Sequence, residues 1–274
     1  MRHATAAILW ALCVSYPACS QISSGTIIVY AVTQDEAVVA ADSRVKFVSG
    51  SPPDDTYCKI AAFRNHVIFA TIGAGAYIRT GPADPIQSWS AIGEARGASK
   101  VGSHAADASS EVKMIADSWA KKIQAKWNSL YAKYPDLVIK EAEHGKGLLT
   151  TGIFIVAKNK HLAFTSRGIR FSRDFRIPTS VEKASCETGH LCGSGETDIF
   201  MEFTQATSQR AQAEREDWSK RPNKSLIMYV IRMVDLTIAY GPDDVGGKVD
   251  ALEMTRDGKV TWKQRKCNCP ESQD

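Results

Sequence analysis

The sequence predicts an α+β fold in which two antiparallel sheets are sandwiched between helical layers, a four-layer αββα arrangement. Short apolar runs rich in β-branched residues come in pairs with turn residues between them. A helical repeat follows them, and the succession of strands and helices then recurs before a last pair of strands. Continuous apolar character, rather than alternation, marks strands buried on both faces. Such sheets need a helical layer outside them.

Taken in order, residues 26–32 (TIIVYAV) and 37–41 (AVVAA) are the first pair, broken by a turn at Gln34–Asp35. Residues 59–63 and 67–72 are the second, turning at Arg64, Asn65 and His66, and Gly73-Ala74-Gly75 ends its last strand. Residues 96–111, rich in Gly, Ala and Ser, read as a loop. Val112, Ile115, Trp119, Ile123, Trp127 and Leu130 recur at spacings of three and four, an amphipathic helix with its tryptophans in the core. Residues 147–157 and 161–166 form a hairpin turning at Lys158–Asn159. Helices are expected from Asp198 to about Arg215 and from about Lys224 to Ala239. Residues 249–254 and 260–263 close the chain as strands around Asp257–Gly258.

The chain has 274 residues, 44% hydrophobic and 23% charged, which suits one soluble domain or at most two. No segment reaches the roughly 18–20 apolar residues that span a bilayer. The net charge of +4 is spread along the chain, with one small cluster at Lys263, Arg265 and Lys266. Nucleic-acid binding wants a denser basic face with interleaved aromatics, so no nucleic-acid partner is expected.

The first 20 residues differ from the rest. Arg2, the apolar stretch 6–14, Pro17, Ala18 and Ser20 make the pattern of a secretory signal peptide cut after Ser20. The location expected is then secreted or periplasmic, with no membrane association once residues 1–20 are gone; a cytoplasmic propeptide is the competing reading. Cleavage removes one charge, Arg2, and leaves +3. Five cysteines remain: Cys58, Cys186, Cys192, Cys267 and Cys269. In an exported protein Cys186 and Cys192 can close a small loop, and because five is odd, one cysteine must stay unpaired or pair with another chain. A zinc site from Cys186, Cys192, Cys267 and Cys269 is disfavoured, because C-x-C is not the usual ligand spacing.

A turn centred near residue 34 sets positions summing to about 68 face to face, which opposes Thr26 and Asp42 at about 4.5–5.5 Å between Cβ atoms. Lys59 opens the third strand and Gly73 closes the fourth. In a four-stranded meander all four residues meet at one end of the sheet. A hydroxyl, a carboxylate, an ammonium and a glycine-flanked N–H are the kit for acyl transfer. Strand-end positions imply partial burial, so the Asp42–Lys59 pair is expected to matter more to activity than to stability. None of the six histidines sits in a triad or metal spacing.

Gly25-Thr26 before an apolar strand, then VVAADSR (residues 38–44), Lys59-Ile60 and the strand ending at Gly73 together resemble the start of a proteasome β subunit. CGSGE (192–196) and VGGKVDALEMTRDGKV (245–260) continue the resemblance, which covers most of residues 25–262. It implies an N-terminal-nucleophile (Ntn) hydrolase: a signal peptide 1–20, a short prosegment 21–25 and a hydrolase domain 26–274. By the same resemblance, cleavage behind Gly25 makes Thr26 the new N-terminus, with Oγ as nucleophile and the freed α-amine as base. Asp42 and Lys59 are the ion pair that polarises the hydroxyl, Gly73 N–H the oxyanion donor, and Ser194 the serine beside the nucleophile. A peptide or amide substrate is implied and no cofactor or metal, with homo-oligomerisation left open.

Two positions depart from the family pattern. Pro242 stands where these subunits carry an aspartate, and Val245 where they carry a serine. Asp243 or Asp244, one or two residues on, is the nearest substitute. The alternative is a non-catalytic protein on the same scaffold, acting in binding or assembly.

Overall fold

The structure, a computed structural model, describes residues 21–24, 26–47, 52–78, 85–171, 178–182, 186–222 and 224–265. Residues 1–20, expected from the sequence to be a signal peptide, and Gly25, Cys267 and Cys269 lie outside these residues. The strands are β1 (Gln21–Ser24), β2 (Ile27–Val32), β3 (Glu36–Ala41), β4 (Lys46–Phe47), β5 (Ile60–Phe63), β6 (Val67–Gly73), β7 (Ala76–Ile78) and β8 (Trp89–Ser90). After helices α1 (Ala91–Ser99), α2 (Ala108–Lys133) and α3 (Pro135–His144) come β9 (Leu148–Lys158), β10 (His161–Phe171), β11 (Pro178–Glu182) and β12 (Leu191–Gly195). Helices α4 (Asp198–Gln205), α5 (Gln209–Lys220) and α6 (Leu226–Tyr240) precede β13 (Asp250–Thr255) and β14 (Val260–Gln264).

The chain is a mixed α+β protein with two large antiparallel sheets, in the orders β12-β2-β3-β13-β14 and β11-β10-β9-β6-β5. Three apolar clusters explain why the strands are apolar throughout. Ile28, Tyr30 and Val32 of β2 meet Ile68 of β6 and Ile155 of β9 between the sheets. Ile27, Val29 and Ala31 point the other way, onto Phe200 of α4 and Val230 and Met233 of α6. Val67 and Phe69 of β6 pack against Trp119 and Ile123 of α2. This layering is compatible with the αββα sandwich expected from the sequence.

Several expectations need correction. The first four strands are not one meander: β2 and β3 lie in one sheet, β5 and β6 in the other. The connection between them is held by a Val45–Asp54 bridge and by Ser43 Oγ donating to Asp55 O at 2.6 Å, which carries the chain across the sandwich. The β2–β3 register is displaced by one residue, since Ile28 opposes Ala41. Thr33 sets this: its N–H and its Oγ1 both donate to Glu36 O, and its Oγ1 accepts from Glu36 N–H, which moves the turn centre. Asp42 therefore faces Ile27 and not Thr26.

The expected loop over 96–111 is largely helical: α1 runs to Ser99, a 3₁₀ turn spans Val101–His104, and Asp107 caps α2. Its small residues serve close packing rather than a loop; a Cβ on Gly102 would sit 2.8 Å from Ile115. The long helix expected from Asp198 is broken at Ala206, in the left-handed region, and restarts behind the Ser208 cap. The β9–β10 turn falls at Asn159–Lys160, both with positive φ.

Candidate active site

Thr26 immediately precedes β2 and is buried. On one side β12 runs antiparallel, with Gly195 opposite Ile27 and Ser194 opposite Ile28. Glu196 N–H donates to Thr26 O at 2.9 Å. Only glycine fits at position 195: φ is +100°, and a Cβ would lie 1.9 Å from Thr26 O.

Asp42 is fully buried just beyond β3 and accepts four hydrogen bonds. Its Oδ1 takes Ile27 N–H at 3.0 Å and the Lys59 ammonium at 2.8 Å. Its Oδ2 takes Gly246 N–H at 3.0 Å and Arg44 N–H at 3.2 Å. Lys59, 2% exposed, also donates to Arg44 O at 2.6 Å. The lysine stands just before β5 in the opposite sheet and Asp42 just after β3, so the ion pair spans the two sheets. The expectation of partial burial is thereby corrected: facing sheets close over a strand end that would be exposed in a single meander. A buried carboxylate is tolerable only when paired and hydrogen-bonded, and this one is both.

Gly73 ends β6 opposite Thr150, at φ +75°, and a Cβ there would lie 2.6 Å from Leu149 O. Thr71 N–H donates to Lys59 O at 2.9 Å. Successive strand N–H groups point to opposite sides, so Gly73 N–H is directed to the same side as that of Thr71, beyond the end of β5. The neighbouring backbone is buttressed from α2. Trp127 Nε1 donates to Thr150 Oγ1 at 3.0 Å, which donates to Ala74 O at 2.8 Å.

Thr26 and Gly73 line one cleft of about 180 Å³, with Ile72, Leu148, Leu149, Gly195, Glu196 and the end of α3 around it. The structure thus gathers Thr26, Asp42, Lys59 and Gly73 around the start of β2. Ser194 is half-buried one strand away, on the inter-sheet face that Ile28 also occupies. Asp243 is exposed, and its main-chain oxygen accepts from Arg44 Nη1 at 3.1 Å. Val245 is buried in the apolar cluster under α6.

Sequence reasoning missed two participants. Gly246 acts through its main chain, which no side-chain pattern reveals. Glu141 lines the cleft from the last turn of α3, yet in KEAEH it looks like one more charge on a solvated helix face.

Cys186 and Cys192 form a disulfide with Cα atoms 6.0 Å apart, so neither is a thiolate for zinc. Cys58 is disulfide-bonded too. No helix among the described residues is long and apolar enough to cross a membrane. No protein-family model matches the chain, and no curated protein matches it either.

Proposed function

We propose that the chain is a threonine-nucleophile amide or peptide hydrolase of the proteasome-like Ntn type, self-processed between Gly25 and Thr26. The observation that carries this reading is the buried pair at the start of β2: one carboxylate oxygen of Asp42 holds both the Lys59 ammonium and the amide that follows Thr26. In this reading Thr26 Oγ first attacks the Gly25 carbonyl, its proton passes to the departing nitrogen, and the C–N bond breaks to free the α-amine; water then hydrolyses the resulting ester, releasing the Gly25 carboxylate and restoring the Thr26 hydroxyl. That amine then accepts the Oγ proton when Oγ attacks a substrate carbonyl; an α-amino pKa near 8 suits this at neutral pH. Gly73 N–H stabilises the oxyanion, the leaving amine takes a proton, and water releases the acyl group from Thr26.

The strand that precedes Thr26 supports the same reading. β1 pairs antiparallel with both β4 and β7. These flanking strands offer main-chain groups to an extended peptide, so released prosegment and incoming substrate would occupy one groove. The Cys186–Cys192 disulfide supports export to an oxidising compartment. A second reading, a non-catalytic scaffold, is favoured by Val245 in an apolar cluster and Asp243 in solvent, where the family carries supporting polar groups.

An electrophile selective for N-terminal threonine tests the proposal. The expected result is one adduct, mapped to Thr26 by peptide mass spectrometry and absent after Asp42→Asn or Lys59→Met. Adducts unaffected by both substitutions would reject it.

A further inference from the structure

The chemistry proposed above does not use Glu141, yet this residue forms part of the cleft beside Thr26. It lies in the last turn of α3 and is 1% exposed. Its Oε2 is buried without a hydrogen-bond partner among the described residues. Burial pushes the carboxyl up to about 7. Buried polar atoms are nearly always paired, so an unpaired one on a residue that lines a cleft calls for a ligand.

Three kinds of partner can be weighed. A metal ion needs more donors, and the described residues hold no group of three or more His, Cys, Asp or Glu placed for one. A proton-transfer role would require contact with the nucleophile, and Oε2 bonds to none of the described residues. A donor group on the substrate remains. We infer that Glu141 is the specificity-determining residue of this cleft and selects substrates with a basic side chain, ammonium or guanidinium, beside the bond that Thr26 attacks.

The surroundings fit a cation. Glu141, His144, Gly145 and Lys146 all line the cleft, so the C-terminal end of α3 faces it, and the carbonyl end of a helix favours positive charge. Ile72, Leu148 and Leu149 give an apolar wall for the aliphatic stem of lysine or arginine. His144 and Lys146 are exposed and Glu196 half-exposed. Charges at such a mouth are screened over a Debye length of about 8 Å, whereas a buried carboxylate is screened much less. The volume, about 180 Å³, equals roughly six waters, room for one side chain.

The inference rests on Thr26 being the nucleophile, and its test separates the two. Benzamidine and neutral benzamide are compared by calorimetry on the full chain carrying Thr26→Ala, which needs no turnover. The expected result is at least tenfold tighter binding of benzamidine, with the difference lost in Glu141→Gln protein of unchanged circular dichroism. Equal binding of the two probes, or a preference that survives Glu141→Gln, overturns the inference. In parallel, wild-type protein is offered peptides with arginine or leucine before the scissile bond. Faster cleavage after arginine, abolished by Glu141→Gln, supports it. Equal cleavage after both overturns it while leaving the hydrolase reading intact. Benzamidine selectivity through Glu141 without any peptide cleavage overturns the hydrolase reading and keeps the cation pocket.

Discussion

Lys59 Nζ lies 2.8 Å from Asp42 Oδ1, and neither side chain is more than 2% exposed. The two residues come from opposite sheets, so their pairing joins the two sheets at the end where Thr26 stands. Removing one member leaves the other charged and unpaired in the interior, which typically costs about 3–5 kcal/mol. Lys59→Ala is therefore expected to lower the melting temperature by roughly 10 °C, at about 2–4 °C per kcal/mol for a chain of this size. Thermal unfolding checks this, and a shift under about 2 °C would mean that the pair is solvated in solution.

Glu141 gives the chain a pH-dependent stability of defined sign. Its folded carboxyl titrates at about 7 because burial disfavours the charge, against an ordinary glutamate near 4.3. The folded state thus holds more protons than the unfolded state between these values. Stability contributed here is fully present below about pH 4.3, falls as pH rises toward 7, and is flat beyond. Glu141→Gln removes the penalty and should stabilise the protein at pH 8 by up to about 4 kcal/mol, with little effect at pH 4.5. Denaturant unfolding at both values checks it; the same difference at each pH would place the carboxyl in water.

The Cys186–Cys192 bridge closes a loop of six-residue separation just where β12 begins beside β2. Loop-closure entropy for so short a loop is worth roughly 2 kcal/mol. Cys192→Ser should cost about that much in a denaturant titration, and peptide mapping without reductant should recover the two cysteines as one linked fragment. Free thiols at both positions would contradict the bond.

The strand pairs were legible because burial on both faces leaves an unbroken apolar run, as in residues 27–32 and 37–41. The sequence equally brought Thr26, Asp42, Lys59 and Gly73 to one end of the fold. What escaped it was set by contacts distant along the chain. The Thr33–Glu36 hydrogen bonds decide the β2–β3 register, and a difference of one residue there puts Asp42 opposite Ile27. Lysine at a strand end reads as solvated; only the facing sheet and Asp42 bury it. The apolar repeat was followed only to Leu130, and α3, which Tyr134 alone separates from α2 and which opens with Pro135 in its first turn, was not read from the sequence. Glu141 was hidden with it.

The mature N-terminus tests the central claim most directly. In the proposed mechanism Thr26 cleaves the bond behind Gly25, with Lys59 and Asp42 keeping its hydroxyl reactive and Gly73 N–H holding the oxyanion, a donor typically worth about 3–4 kcal/mol. Intact mass and N-terminal sequencing of the purified protein should find wild type beginning at Thr26. Thr26→Ala should retain Gln21–Gly25 and be inactive, while Thr26→Ser, which keeps the hydroxyl, should still process. Wild-type and Thr26→Ala proteins with the same N-terminus upstream of residue 26 would contradict self-processing and leave the non-catalytic scaffold as the better description.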